Sequence, residues 1–181
     1  MSMPMFTSVP KPMSAPPEPA FRAASLDDLA PISALHARAF GPGRFARTAY
    51  RVREGTADVS PYCRVCMIDG QLVAAVRFTP VTVGGKGAAL LLGPLAVDPA
   101  WANQGYGRAL VAKALEDAKA AGIALVLLVG DEPYYGRLGF RRVPWGQITL
   151  PGPVDPNRVL AAELQPGALA GHSGIVAAVR S

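Results

Sequence analysis

Cysteine is scarce in this chain: Cys63 and Cys66 are the whole supply, and they form a lone C-x-x-C within "YCRVCMI". A structural zinc site needs about four ligands, and the histidines, His36 and His172, stand in no ligand-like spacing with the pair. Positions three apart on a strand face opposite sides of the sheet, which argues against chelation or bridging. The pair reads as structural thiols of a reducing compartment, and no metal is expected. Charged residues are only 17% of the chain while half are hydrophobic, a balance that excludes a disordered protein. Long apolar runs are missing too. "LLLGPLAV" and "IALVLLVG" fall far short of the roughly 18 residues of a membrane span, and the N-terminus lacks a basic segment leading into an apolar one. A cytoplasmic protein without membrane contact is therefore expected. There are no Lys-rich runs interleaved with aromatics, which weighs against a nucleic-acid binder. The net charge of +5 still favours an anionic ligand.

What is present is enough for one domain with a proper core, 181 residues long. Residues 1–20, "MSMPMFTSVPKPMSAPPEPA", are so rich in proline that helix and sheet both lose backbone donors, and they read as a disordered tail. Residues 21–165 make the domain, and 166–181 a C-terminal extension with a loosely specified end. "FRAAS" reads as a short strand. In the helix that follows, Ser25 is the N-cap candidate with Asp28 three residues on, and Leu29, Ile32, Leu35 and Phe40 form the apolar stripe. After "GPG" a second helix over "RFARTAYRVREG" puts Arg44, Arg47 and Arg51 on one face.

From Tyr62 the pattern becomes strands: "YCRVCMI", a turn at Asp69–Gly70, then "QLVAAVRFTPVTV", and after "GGKG" the apolar strand "AALLLGPLAV". Gly93–Pro94 inside that strand demands a bulge or a broken ladder. A helix from about Gly105 to Ala121 turns Leu110, Val111, Ala114, Leu115 and Ala118 inward, with Gly122 as its C′ residue. "IALVLLVG" is a buried strand, "EPYYGRL" a short helix leading into "GFRRV", and "VLAAELQPGAL" and "SGIVAAV" supply a final strand and the tail. The sum is an α/β protein with a mixed sheet: an antiparallel meander, then a right-handed parallel β-α-β crossover, with helices on both faces.

The loop before that central helix, "ANQGYGRAL", has the chemistry-bearing pattern. A Rossmann fingerprint needs G-x-G-x-x-G directly after a strand, but Leu110 occupies the third glycine position and the loop "DPAWANQ" intervenes. A Walker loop needs Gly-Lys-Ser/Thr, which is absent. Two readings remain. The glycines expose amides at the positive end of a helix to hold a pyrophosphate, or they only permit a tight turn and close helix packing.

"LGPLAVDPAWANQGYGRALV" and, at the right distance after it, "YYGRLGF" resemble the strand-loop-helix and the Tyr…Gly-Phe motifs of the GNAT superfamily of acyl-coenzyme A dependent N-acetyltransferases. "GPLAV", "LVGDEPYYGRLGF" and "AFGPGRFARTAYRVREG" are similar to its YhbS-like bacterial subgroup. The resemblance covers about residues 21–165. It implies a central strand that bulges at Gly93–Pro94 and splays from its parallel neighbour, with the pantetheine arm of acetyl-CoA in the gap. It implies that Leu95, Ala96 and Val97 line pantetheine, and that Asn103, Gln104, Gly105, Tyr106, Gly107 and Arg108 cradle the pyrophosphate. Where the family loop opens on Gln or Arg this chain has Ala102, so backbone amides carry the phosphate contacts.

By the same resemblance Tyr135 is the acid that protonates the leaving thiolate, and Tyr134 a packing residue or substrate wall. Many relatives place a glutamate on the bulged strand, but "AALLLGPLAV" has none, which leaves an ordered water, Glu132, Asp98 or His36 to take the amine's proton. The first two helices of the fold wall the acceptor pocket, so Arg44, Arg47 and Arg51 either read an anionic acceptor or form a solvated face. The function implied is transfer of acetyl from acetyl-CoA to a primary amine of a small molecule or peptide, by direct attack in a ternary complex. A homodimer is left open. The rival readings are an acyl-CoA sensor that transfers nothing and, behind it, a basic nucleic-acid binder.

Overall fold

The structure, a computed structural model, describes residues 17–41 and 48–180. The proposed tail falls mostly on residues 1–16, outside that range, as do Arg44 and Arg47. The first strand, β1 (Ala20–Ala23), pairs antiparallel with β2 (Arg64–Ile68). A 3-10 turn, Leu26–Asp28, leads into helix α1 (Leu29–Phe40). The expected Ser25–Asp28 pairing is present, the Asp28 carboxylate accepting from the Ser25 amide at 2.8 Å. Arg22 grips the same carboxylate with two bonds of 2.7 and 2.8 Å, and chiefly this charged hydrogen bond lowers the Asp28 pKa to about 2.

β2, β3 (Gln71–Val83) and β4 (Lys86–Val97) form the meander. It turns first at Asp69–Gly70, both left-handed, as the Asp-Gly pair predicts. α3 (Tyr106–Ala120) then crosses over to β5 (Leu125–Val129), which lies parallel to β4. The buried residues of α3 include all five assigned to its inner face. Burying one leucine is worth about 1.5–3 kcal/mol, against about 1 kcal/mol for a good N-cap. The packed face therefore fixes α3, and its first residue is free to follow a glycine.

After β5 come a short helix α4 (Glu132–Tyr135), β6 (Arg141–Arg142), β7 (Ile148–Thr149) and β8 (Val159–Glu163). The sheet runs β1-β2-β3-β4-β5-β8-β6. α3 covers one face over Leu90, Leu92, Val126 and Leu128. α1 covers part of the other face through Leu35, and α2 (Thr48–Arg53) another part through Val52. Of the predicted stripe on α1 only Leu35 is fully buried; Ile32 and Phe40 pack against its cluster from the side and, with Leu29, border a cleft.

The end of the chain departs from the loose tail the sequence suggests. Residues Gly174–Ala178 form β9, antiparallel to the far end of β3 at Val81–Val83 and parallel to β7. Just before it the buried His172 ring sits 2.7 Å from the Ala168 carbonyl and 3.0 Å from that of Gly87. The extension beginning at residue 166 is thus clamped to the start of β4. Val176, sunk in the same core as Val81 and Leu91, supplies the apolar contact that holds it.

Candidate active site

The site begins with a mismatch in β4. On β3, Val76 pairs with Leu95 and Phe78 with Leu92, so Arg77 alone faces the two residues Gly93 and Pro94. That is the bulge the sequence predicts. On the other edge, β4 pairs with β5 from Ala89↔Leu125 to Leu91↔Leu127 and no further, although both strands continue. β5 instead keeps its other partner, β8, as far as Val129↔Val159. The two central strands therefore part at Leu92 and Leu128. A cleft of about 620 Å³ opens there, bordered by Gly93, Pro94 and Leu95 on one side and Leu128, Val129 and Tyr135 on the other. An edge of β4 released from pairing carries backbone donors and acceptors for an extended ligand.

Leu95 lines this cleft. Leu95 and Val97 pack toward α3, whereas Ala96 points to the opposite face, into the cluster around Leu35. After β4, Asp98 starts a 3-10 turn, Pro99–Trp101, by accepting from the Ala100 amide at 3.0 Å. Asn103 (φ 61°) and Gly105 (φ 85°) are both left-handed, and they lead into the first turn of α3, whose own N–H groups have no partner within the helix. Asn103, Gln104 and Arg108 are exposed, and Tyr106 packs edge-on against Trp101 at 6.0 Å.

The two glycines have different duties. Gly105 has open space around it and is needed for its backbone angle. Gly107 is needed for closeness: a Cβ there would lie 2.9 Å from the Tyr134 hydroxyl and 3.0 Å from Val97 Cγ2. Turning the backbone and permitting close packing are thus the work of separate glycines.

The neighbouring tyrosines occupy different walls. Tyr135 lines the cleft and stacks edge-on against Phe140 at 5.8 Å. Tyr134 turns toward the start of α3, where the Arg108 guanidinium sits 5.5 Å from its ring centre. Burial pushes the Tyr134 phenol above the usual tyrosine range, and the Arg108 charge draws it partly back. Among the proposed bases, Asp98 is buried and ion-paired with Arg38 at 3.1 Å. Glu132 accepts from the Arg142 amide at 3.2 Å and pairs with its guanidinium at 3.4 Å. Neither lines the cleft, and His36, on α1, does.

On α2, Arg51 is exposed and outside the cleft wall, whereas Arg53 is buried and part of it. Sequence reasoning passed over Arg53, as well as Asp58, Asp155 and Arg158 on the same wall. No local signal marks Arg53, since its helix neighbour Val52 points about 100° away, into the core.

Residues 29–140 match the model of the acetyltransferase (GNAT) family. The chain is 32% identical over 109 residues to the uncharacterised N-acetyltransferase YhbS of Escherichia coli K12, an overlap of 60% of this chain and 65% of that protein. It therefore spans just under two thirds of the length of that curated relative. Among solved structures, E. coli YhbS in complex with CoA superimposes with a TM-score of 0.78 at 28% identity, over 92% of this chain and 93% of that one. A GNAT family acetyltransferase from Brucella melitensis in complex with acetyl-CoA gives 0.60 at 26% identity, over 80% and 95%. With a splayed pair of central strands, a glycine-led helix beside it and a tyrosine on the cleft wall, the chain belongs to the GNAT acetyltransferase family.

Proposed function

We propose that this protein transfers the acetyl group of acetyl-CoA to a primary amine by direct attack within a ternary complex. The observation that carries the reading is the end of β4–β5 pairing at Leu91↔Leu127, which leaves a strand edge for pantetheine beside amides suited to a pyrophosphate. The two similar proteins solved with CoA and acetyl-CoA support it. In this reading Leu95, Ala96 and Val97 flank the pantetheine arm, and Asn103, Gln104, Gly105, Tyr106, Gly107 and Arg108 surround the phosphates.

The amine must first be neutral. At pH 7 only about one lysine-like ammonium in a few thousand is, so a base on the cleft wall accelerates the reaction, and of the side chains proposed from the sequence His36 is the one on that wall. The nitrogen lone pair then attacks the thioester carbon, the C–S bond breaks, the Tyr135 hydroxyl gives its proton to the departing thiolate, and the proton that the nitrogen sheds in becoming an amide returns to the phenolate. Arg51 and the arginines outside the described residues, Arg44 and Arg47, belong to the acceptor side in this reading.

Thiol release measured over an amine panel, with both substrates varied, tests the proposal. Intersecting reciprocal plots are expected. Parallel plots would mean an acetylated enzyme intermediate, and calorimetric binding of acetyl-CoA with no thiol release for any amine would leave a sensor in place of an enzyme.

A further inference from the structure

Three arginines, Arg53, Arg77 and Arg158, and two aspartates, Asp58 and Asp155, border the cleft. Several of them are engaged at its edges. Arg77 donates to Thr56 Oγ1 and to the Ala57 carbonyl, both at 3.1 Å. Arg158 pairs with Asp131 at 3.4 Å, and Asp155 accepts from the Asn157 amide at 2.9 Å. Arg53 has protein partners as well and differs from the others in depth. It is only 7% exposed, and its Nη2 lies 2.9 Å from where a Cβ on Gly93 would be. The guanidinium therefore rests on the bulge of β4 itself, and a side chain at position 93 would displace it. Gly93 serves the bulge with its backbone (φ 130°) and the arginine with its missing side chain.

A guanidinium at such depth attracts an anion far more strongly than one in water, because less solvent screens it. Its planar fork matches a carboxylate with two parallel hydrogen bonds. Position then limits the ligand. The amine attacks where the thioester meets the bulge, and the charge of Arg53 lies against that same bulge, so the anion it holds and the reacting nitrogen must be only a few bonds apart.

We propose that Arg53 binds a carboxylate of the acceptor, and that the acceptors are small amino acid-like molecules whose amine and carboxylate are separated by a few bonds. This rests on the acetyl-transfer reading and narrows it. Arg53 becomes the residue that selects the acceptor, ahead of the exposed Arg51.

Matched pairs test it: free amino acids of increasing amine-to-carboxylate spacing, each against its own carboxamide, with thiol release as the readout. A charged hydrogen-bonded pair is worth about 10- to 100-fold, so short acids should exceed their carboxamides by that factor in kcat/KM. In Arg53→Gln the ratio should fall to about one while acetyl-CoA affinity is kept, and Arg53→Lys should retain part of the preference. Equal rates for acid and carboxamide in the wild type, survival of the preference in Arg53→Gln, or a preference for phosphorylated amines over carboxylates would overturn the assignment. Should Arg53→Gln fail to fold, the wild-type ratio and Arg53→Lys decide. A second readout separates this proposal from the one beneath it. The N-acetyl acid with CoA should raise the melting temperature and its N-acetyl carboxamide should not, and equal shifts reject the role of Arg53. Absence of thiol release with any amine counts against acetyl transfer, and the melting comparison still decides on Arg53.

Discussion

Tyr134 and Tyr135 are adjacent in sequence, stack edge-on with ring centres 4.8 Å apart, and face different tasks. Only Tyr135 borders the cleft. Tyr135→Phe should therefore keep acetyl-CoA affinity and lower kcat by about 10²- to 10⁴-fold, the range of a general acid. Tyr134→Phe should be nearly silent in rate, and steady-state kinetics on the two variants with calorimetry of acetyl-CoA checks both. Tyr134 has a signature of its own. Its phenol is held neutral by burial, so the raised pKa contributes stability that is present below about pH 10 and is lost as pH rises past it. Denaturation midpoints of Tyr134→Phe should fall less steeply above that pH than those of the wild type. That Tyr135 belongs near the site was expected from the family resemblance, whose motif, a tyrosine ahead of a Gly-Phe pair, is local, and the side chain does border the cleft. Arg53 was not legible in sequence, because its meaning comes from Gly93, forty positions away in the chain and in contact only after folding.

α3 shows the same contrast one scale up. Its limits and inner face could be read from the sequence, since five apolar residues at helical spacing leave little choice. Whether its glycines were for turning or packing could not, since that depends on how near β4 and Tyr134 come. Gly107→Ala should overpack that contact and cost about 1–3 kcal/mol of stability, with weakened acetyl-CoA binding as the start of the helix shifts. Gly105→Ala has room for its methyl group and should cost about 1–2 kcal/mol through its left-handed backbone alone. Urea midpoints and calorimetry on both variants distinguish the two costs. β9 was the element least legible in sequence. "SGIVAAV" is an adequate strand, but its place on β3 beyond the reach of β2 follows from long-range pairing.

Across the molecule, the antiparallel meander, the parallel crossover and helices on both faces follow from the order and periodicity of segments, and these were legible. A glycine and proline inside "AALLLGPLAV" also located the bulge. The parting of β4 from β5 was reached only through family resemblance, because nothing local records that β5 stays with β8 instead of β4. That parting is the centre of the account: it is the place proposed for acetyl-CoA. Hydrogen exchange with and without saturating acetyl-CoA tests it most directly. The amides of residues 92–97 and 103–108 should gain protection, while those at Ala89, Leu90 and Leu91, where β4 and β5 are already paired, should change little. Protection that spares both segments, or that gathers at the small hollow between Arg38 and Gln71 on the opposite side of α1, would contradict it.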